Sequence, residues 1–162
     1  MTASTRPPNA SPASSGSPVD AVPVTKLRAD ATVPVRAHPT DVGLDLCAVE
    51  PTDLAPGARA AVPTGLAVAI PAGWAGLVVP RSGLALRHGV TVANAPGLID
   101  AGYRGELRVI LVNLGAETHH IAAGDRIAQL VLTPVWDGTL EVVDDLPDSD
   151  GRGTGGFGST GR

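Results

Sequence analysis

An all-β fold is what this sequence predicts, and three observations carry the prediction. Gly and Pro number 20 and 15 among 162 residues, a density of breakers that leaves little room for long helices. Hydrophobic residues still make up 43% while aromatics are only 2%, so the core must be built from Val, Leu, Ile and Ala. These aliphatic residues recur in short runs between turn signals, the pattern of a sandwich, barrel or jelly roll. Coiled coils and helical bundles are excluded. No apolar run approaches the ~18 residues of a membrane-spanning helix.

Taken in chain order, residues 1–20 are rich in Ser, Pro and Ala without periodicity. They bury too little apolar surface to offset ordering and are expected to form a disordered arm. A β domain is expected over residues 21–145. Its first run is Val22 to Leu27, followed by Leu66 to Ile70, which Pro71-Ala72-Gly73 closes. Gly76 to Val79 runs into Pro80, and Val90 to Ala93 into Asn94-Ala95-Pro96-Gly97. Leu107 to Asn113 is the strongest strand, with β-branched residues and no breaker. Ile127 to Leu132 and Leu140 to Val143 complete the set, and Ser82 to His88 is the one helical turn expected. Residues 146–162 turn acidic and then Gly-rich, the composition of a flexible, solvated tail.

Charge and cysteine define the setting. A net charge of −4 argues against general affinity for nucleic acid or an anionic membrane. The single Cys47 permits no disulfide within the chain and no Cys-based metal site. The start, Met1 to Pro8, lacks the apolar segment of a signal peptide, so a cytoplasmic protein is the expectation. Only Lys26 is a lysine among twelve Lys and Arg, and no Gly-Lys-Ser/Thr phosphate loop is present. Any phosphate must then be held by Arg, hydroxyls and backbone N–H groups.

Five stretches carry more chemistry than a scaffold needs. In Asp41-Val42-Gly43-Leu44-Asp45-Leu46, extended chain would put both carboxylates on one face; a turn entering a strand is an equally good reading. Pro80-Arg81-Ser82-Gly83-Leu84-Ala85 offers an Arg, a hydroxyl and N–H donors at a strand-to-helix transition. Asn94 to Gly105 reads as a hairpin with Asp100 near its exit and Tyr103, the only Tyr, three residues on. A carboxylate beside a ring there can act as a general base over a stacked ligand, or be a plain surface Asp. Gly124-Asp125-Arg126-Ile127-Ala128-Gln129-Leu130 sets Gln129 inside an apolar run. The tail combines Arg152, many glycines and Phe157, the only Phe.

In order, these segments resemble the five motifs of the homotrimeric dUTPase family (deoxyuridine triphosphate nucleotidohydrolase). The resemblance covers roughly residues 22 to 161, and Arg152 to Gly161 is similar to the family's C-terminal closing motif. It implies a jelly-roll or β-clip-like distorted barrel with one short helix and a Gly-rich lid over residues 146–162. It also implies hydrolysis of dUTP to dUMP and pyrophosphate with Mg²⁺ on the triphosphate, in a homotrimer whose sites are shared between subunits. By resemblance, Asp100 would hold the attacking water, with Ser82, Gln129 and Arg152 as the other catalytic residues. Tyr103 would lie under the sugar and leave no room for a 2′-hydroxyl. Asn94 and the backbone of Gly97, Leu98 and Ile99 would read uracil in a space too narrow for the thymine methyl. Arg81, Ser82 and Gly83 would cradle phosphates contributed to a neighbour's site, with Gln129 near the α-phosphate. Arg108 keeps a basic charge at a position where the family also has Lys, and Asp45 would lie near the metal through its waters. Arg152 would clamp the γ-phosphate, Phe157 would stack on uracil, and Gly158, Ser159 and Thr160 would donate to phosphates.

Two other functions are weighed. The related dCTP deaminase, like a bifunctional deaminase–hydrolase of the same fold, needs a Glu base in the strand after the hairpin, and Leu107 to Val112 contains none. A binding module of the same fold without catalysis is disfavoured by the joint presence of Asp100, Ser82, Arg152 and Phe157.

Overall fold

Along Arg108 to Asn113 every second side chain is buried: Val109, Leu111 and Asn113 point inward, Arg108 and Ile110 outward. That two-residue period recurs through the molecule and builds it. The structure, a computed structural model, describes residues 21–147. Its strands are β1 (Val24–Lys26), β2 (Leu44–Cys47), β3 (Thr52–Leu54), β4 (Arg59–Pro63), β5 (Leu66–Val68) and β6 (Trp74–Val79). After helix α1 (Ser82–His88) come β7 (Val90–Val92), β8 (Gly97–Ile99), β9 (Arg108–Asn113), β10 (His119–Ile121) and β11 (Arg126–Pro134). The N-terminal arm lies outside the described residues, as do Arg152, Phe157, Gly158, Ser159 and Thr160.

All pairings are antiparallel. A four-stranded sheet has the order β2-β11-β6-β8 and a three-stranded sheet the order β4-β9-β7, with the pairs β1-β5 and β10-β3 beside them. Leu46, Val62, Val78, Val90, Leu111, Ile127 and Leu130, from both larger sheets, share one aliphatic core. Trp74 packs at its margin, and Trp136 is exposed. The aliphatic core expected from composition is what forms.

Helix α1 stops where expected. Gly89 adopts φ 67°, donates its N–H to the Ala85 carbonyl, and lies so close to Gly115 that a Cβ would meet its backbone N at 2.6 Å. Only glycine meets both demands.

Two expectations are corrected. Asn94 to Gly105 does not form a hairpin of its own: β7 pairs with β9 while β8 pairs with β6, so the chain crosses from one sheet to the other between them. Leu140 to Val143 forms no strand, and Leu140 and Val142 are 93% and 99% exposed. A ladder needs a free edge to pair with, and this stretch pairs with none among the described residues.

One buried polar residue ties the loops to the sheets. Asn113, fully buried, donates from Nδ2 to the carbonyls of Leu54 and Glu117, both at 2.7 Å, and accepts from Gly115 N–H at 2.8 Å. Asn113→Ala should lower the unfolding free energy by about 3 kcal/mol, roughly 1 kcal/mol for each bond lost. Urea denaturation measures it, and a change below about 1 kcal/mol would refute the assignment.

Candidate active site

The sequence-predicted residues assemble into two groups. The first surrounds a cleft of about 300 Å³ lined by Leu98, Ile99, Asp100, Tyr103, Arg108 and Glu106, with Ala61 and Ile110 completing the wall. Strand β8 delivers Leu98 and Ile99, and the tight turn after it, closed by Tyr103 N–H donating to the Asp100 carbonyl at 3.0 Å, sets Asp100 beside the ring. The Tyr103 hydroxyl donates to the Glu106 carbonyl at 2.9 Å, which holds the ring down over Gly105. Arg108 is steadied by the Ala61 carbonyl at 2.7 Å. Asn94 and Gly97 are neighbours at the start of the segment and do not line this cleft.

The second group stands at the other end of the four-stranded sheet. Asp45, Gln129 and Val79 are directly paired across β2, β11 and β6, so their side chains share a face. The Gln129 amide packs on Gly43, where a Cβ would approach it to 2.9 Å. Arg81 follows β6 by two residues and donates from Nε to Asp45 Oδ1 at 3.1 Å; Arg126 donates from Nη1 to Asp45 Oδ2 at 3.2 Å. Ser82 and Gly83 open α1 ahead of its first hydrogen bonds, which Leu84 and Ala85 donate to the Arg81 carbonyl.

Asp41 does not join Asp45. Its carboxylate accepts the His38 N–H at 2.8 Å and closes a turn before the strand begins. The extended geometry that would align the two carboxylates starts only at Leu44. Among the described residues no three of His, Cys, Asp or Glu converge as a metal-ligand group. Residues unassigned from sequence also emerge. Glu106 lines the first cleft while its Oε1 accepts the Gly65 N–H at 2.8 Å, and Arg126 shares Asp45. His119 lines a pocket of about 210 Å³ beside Arg81 and Arg126. The His119-His120 doublet is the local signal for His119, and Arg126 stands in the Gly124 to Leu130 stretch already singled out, but no local feature gives the partner of Arg126 or of Glu106.

His119 also stacks on His88, with ring centroids 4.6 Å apart. Burial, and then the His88 charge, push its pKa below the ordinary histidine value. The folded state therefore favours neutral His119, so its contribution to stability is present above the unfolded pKa and lost as pH falls through the folded one. The urea midpoint should drop between about pH 7.5 and about pH 5.5, and less so in His119→Gln. Equal drops in both proteins would show that His119 is not the group responsible.

The two sheets and the arginine-bearing clefts define a jelly-roll-like all-β protein suited to an anionic ligand. The chain belongs to the dUTPase family, whose model matches residues 29–161. It is 57% identical over 130 residues to a deoxyuridine 5'-triphosphate nucleotidohydrolase of Leifsonia xyli, covering 80% of this chain and 85% of that one. A protein of the same description from Anaeromyxobacter is 63% identical over 120 residues, covering 74% and 81%. Among solved structures, the dUTPase of Staphylococcus bacteriophage 80alpha with dUPNHPP superposes with a TM-score of 0.79 at 32% identity, covering 88% of this chain and 99% of that one. A mutant dUTPase from phage phi11 of S. aureus, whose structure details coordination of a structural Mg(II) ion, gives 0.73 at 31% identity, covering 78% and 98%.

Proposed function

We propose that this chain hydrolyses dUTP to dUMP and pyrophosphate as a cytoplasmic homotrimer, with Mg²⁺ carried on the triphosphate. Membership of the dUTPase family supports the reaction, and one observation of this chain carries the roles: Asp100, Tyr103 and Leu98 converge on one cleft. In that cleft the exposed Asp100 carboxylate takes a proton from the attacking water at one of its oxygens. Tyr103, held by its hydroxyl, forms the floor for the deoxyribose, and the backbone of Gly97 to Ile99 meets the base edge.

Attack on a polyphosphate is mostly positioning and charge neutralisation. Arg81, Ser82, Gly83 and Gln129 supply the donors for the phosphates, and Arg108 adds charge at the cleft wall. Mg²⁺, when bound, neutralises triphosphate oxygens. A metal carried by its substrate needs no dense protein cage, and Asp45 presents its carboxylate between Arg81 and Arg126, the side chains proposed to meet the phosphates. Asp45 would meet such an ion through its waters. Arg152, Phe157, Gly158, Ser159 and Thr160 are proposed to close over the substrate as a lid.

The trimer is supported by distance along one sheet. Ile99 pairs with Gly76, which puts Asp100 level with Ala75, while Arg81 lies beyond Val79 at the other end of β6. Four to six residues of strand separate them by about 13–20 Å. We read a site that uses both as drawing them from different copies. The exposed Val135, Trp136, Leu140 and Val142 supply apolar surface for such a partner. No helix among the described residues is long and apolar enough to cross a membrane.

A panel of dUTP, dCTP, dTTP and UTP, each with and without Mg²⁺, tests the reaction. Pyrophosphate release should be confined to dUTP and depend on the metal. Ammonia from dCTP would establish the deaminase instead, and no turnover of any nucleotide would leave a binding module.

A further inference from the structure

Asp45 is shared by two guanidiniums, and their situations differ. Arg81 is the less exposed, with 25% of its side chain accessible against 55% for Arg126, and Asp45 itself is 18% accessible. Arg81 also donates from Nη1 to the Arg126 carbonyl at 3.2 Å. Its Nε and Nη1 are thus both engaged within the chain, although phosphate binding asks the same guanidinium to turn outward. Were Arg81 the sole partner, its departure would strand a half-buried carboxylate without a counter-charge.

Arg126 reaches Asp45 through an irregularity of β11. Gln129 pairs with Asp45 and Ala128 with Leu46, but the register then slips, and Arg126 rather than Ile127 stands opposite Cys47. In a regular ladder Arg126 would face Ala48 and point to the other side of the sheet. The bulge, which leaves Ile127 and Ala128 both buried, turns Arg126 onto the face of Asp45 and Gln129.

We propose that Arg126 is a positioning residue for Arg81: it keeps Asp45 neutralised, so that Arg81 is free to pass from Asp45 to the triphosphate. The role rests on the dUTP reading above. Without the Arg126 guanidinium, Arg81 is the only counter-charge left on Asp45, and every triphosphate that binds must break that pair.

Calorimetric binding of α,β-imido-dUTP and of dUMP to the full chain tests it. Arg126→Gln should weaken the imido-triphosphate about tenfold, the loss of one charge-assisted interaction, and dUMP less than about twofold. Arg126→Lys should recover part of the loss, with thermal midpoints reporting that both variants fold. The decisive arm is the Asp45→Asn background, where adding Arg126→Gln should weaken triphosphate binding no further. The same tenfold loss in that background would overturn the proposal, because Arg126 would then be touching phosphate itself. Equal losses for dUMP and the triphosphate, or no loss for either, would overturn it too. Wild type that binds neither nucleotide would sink the dUTP reading, and this role with it.

Discussion

Asp100→Asn should fold, bind α,β-imido-dUTP near the wild-type affinity, and hydrolyse dUTP about 1,000-fold more slowly. Asp100 is exposed on the turn that leaves β8, and the hydrogen bond closing that turn uses its backbone carbonyl. Replacing the carboxylate by an amide of equal size therefore leaves the architecture of the cleft in place. The amide still presents an oxygen to a sugar hydroxyl and loses only the capacity to accept a proton from water. General-base catalysis of this kind contributes between about 100-fold and 10,000-fold, and a 1,000-fold loss corresponds to about 4 kcal/mol of barrier. The effect should fall on kcat, with KM nearly unchanged, because the interaction lost belongs to the transition state. Turnover within about threefold of wild type would remove Asp100 from the proton transfer. A tenfold rise in KM with kcat intact would make it a binding residue instead.

What was legible in the sequence follows the range of the forces involved. Helix α1 is bounded by Pro80 before it and Gly89 after it, both local steric devices, and it forms over Ser82–His88 as expected. Strand β9 has an alternation strong enough to specify itself, and Leu107 to Asn113 differs from the observed strand by one residue. Strands β3 and β10 are three residues each, too short for any period to show. β4 ends in Pro63, a residue that reads as a breaker yet is tolerated on a strand paired on one side only. Leu140 to Val143 has the pattern of a strand and lacks the partner, which no local window reveals. The site divides in the same way. The identities of Asp100, Tyr103, Arg81 and Gln129 stand in short motifs, but which of them meet is decided by register between distant strands. The slip that turns Arg126 toward Asp45 is set by a pairing about 80 residues away in sequence, and the crossing of β8 to another sheet by one about 20 residues away, while a local turn at His38 parts Asp41 from Asp45.

That separation of Asp100 from Arg81 gives a result no single-chain site can imitate. Arg81→Gln alone should lower turnover about 100-fold, the scale for losing a donor to developing phosphate charge, and Asp100→Asn alone about 1,000-fold. Denatured together in equal amounts and refolded, the two inactive proteins should regain about one quarter of wild-type activity per site. The figure follows from assortment: half of the chains carry an intact Asp100, the other half an intact Arg81, and a site assembled from two chains draws both with a probability of about one in four. The recovered activity should elute with a species of three chains, and dilution that separates the chains should abolish it. Both substitutions lie on exposed or half-exposed side chains away from the aliphatic core, so each protein is expected to refold alone. If Asp100 and Arg81 served one site within a single chain, every site in the mixture would lack one or the other. Activity would then remain near the average of the two variants, at least tenfold below the recovered value, however the chains were mixed.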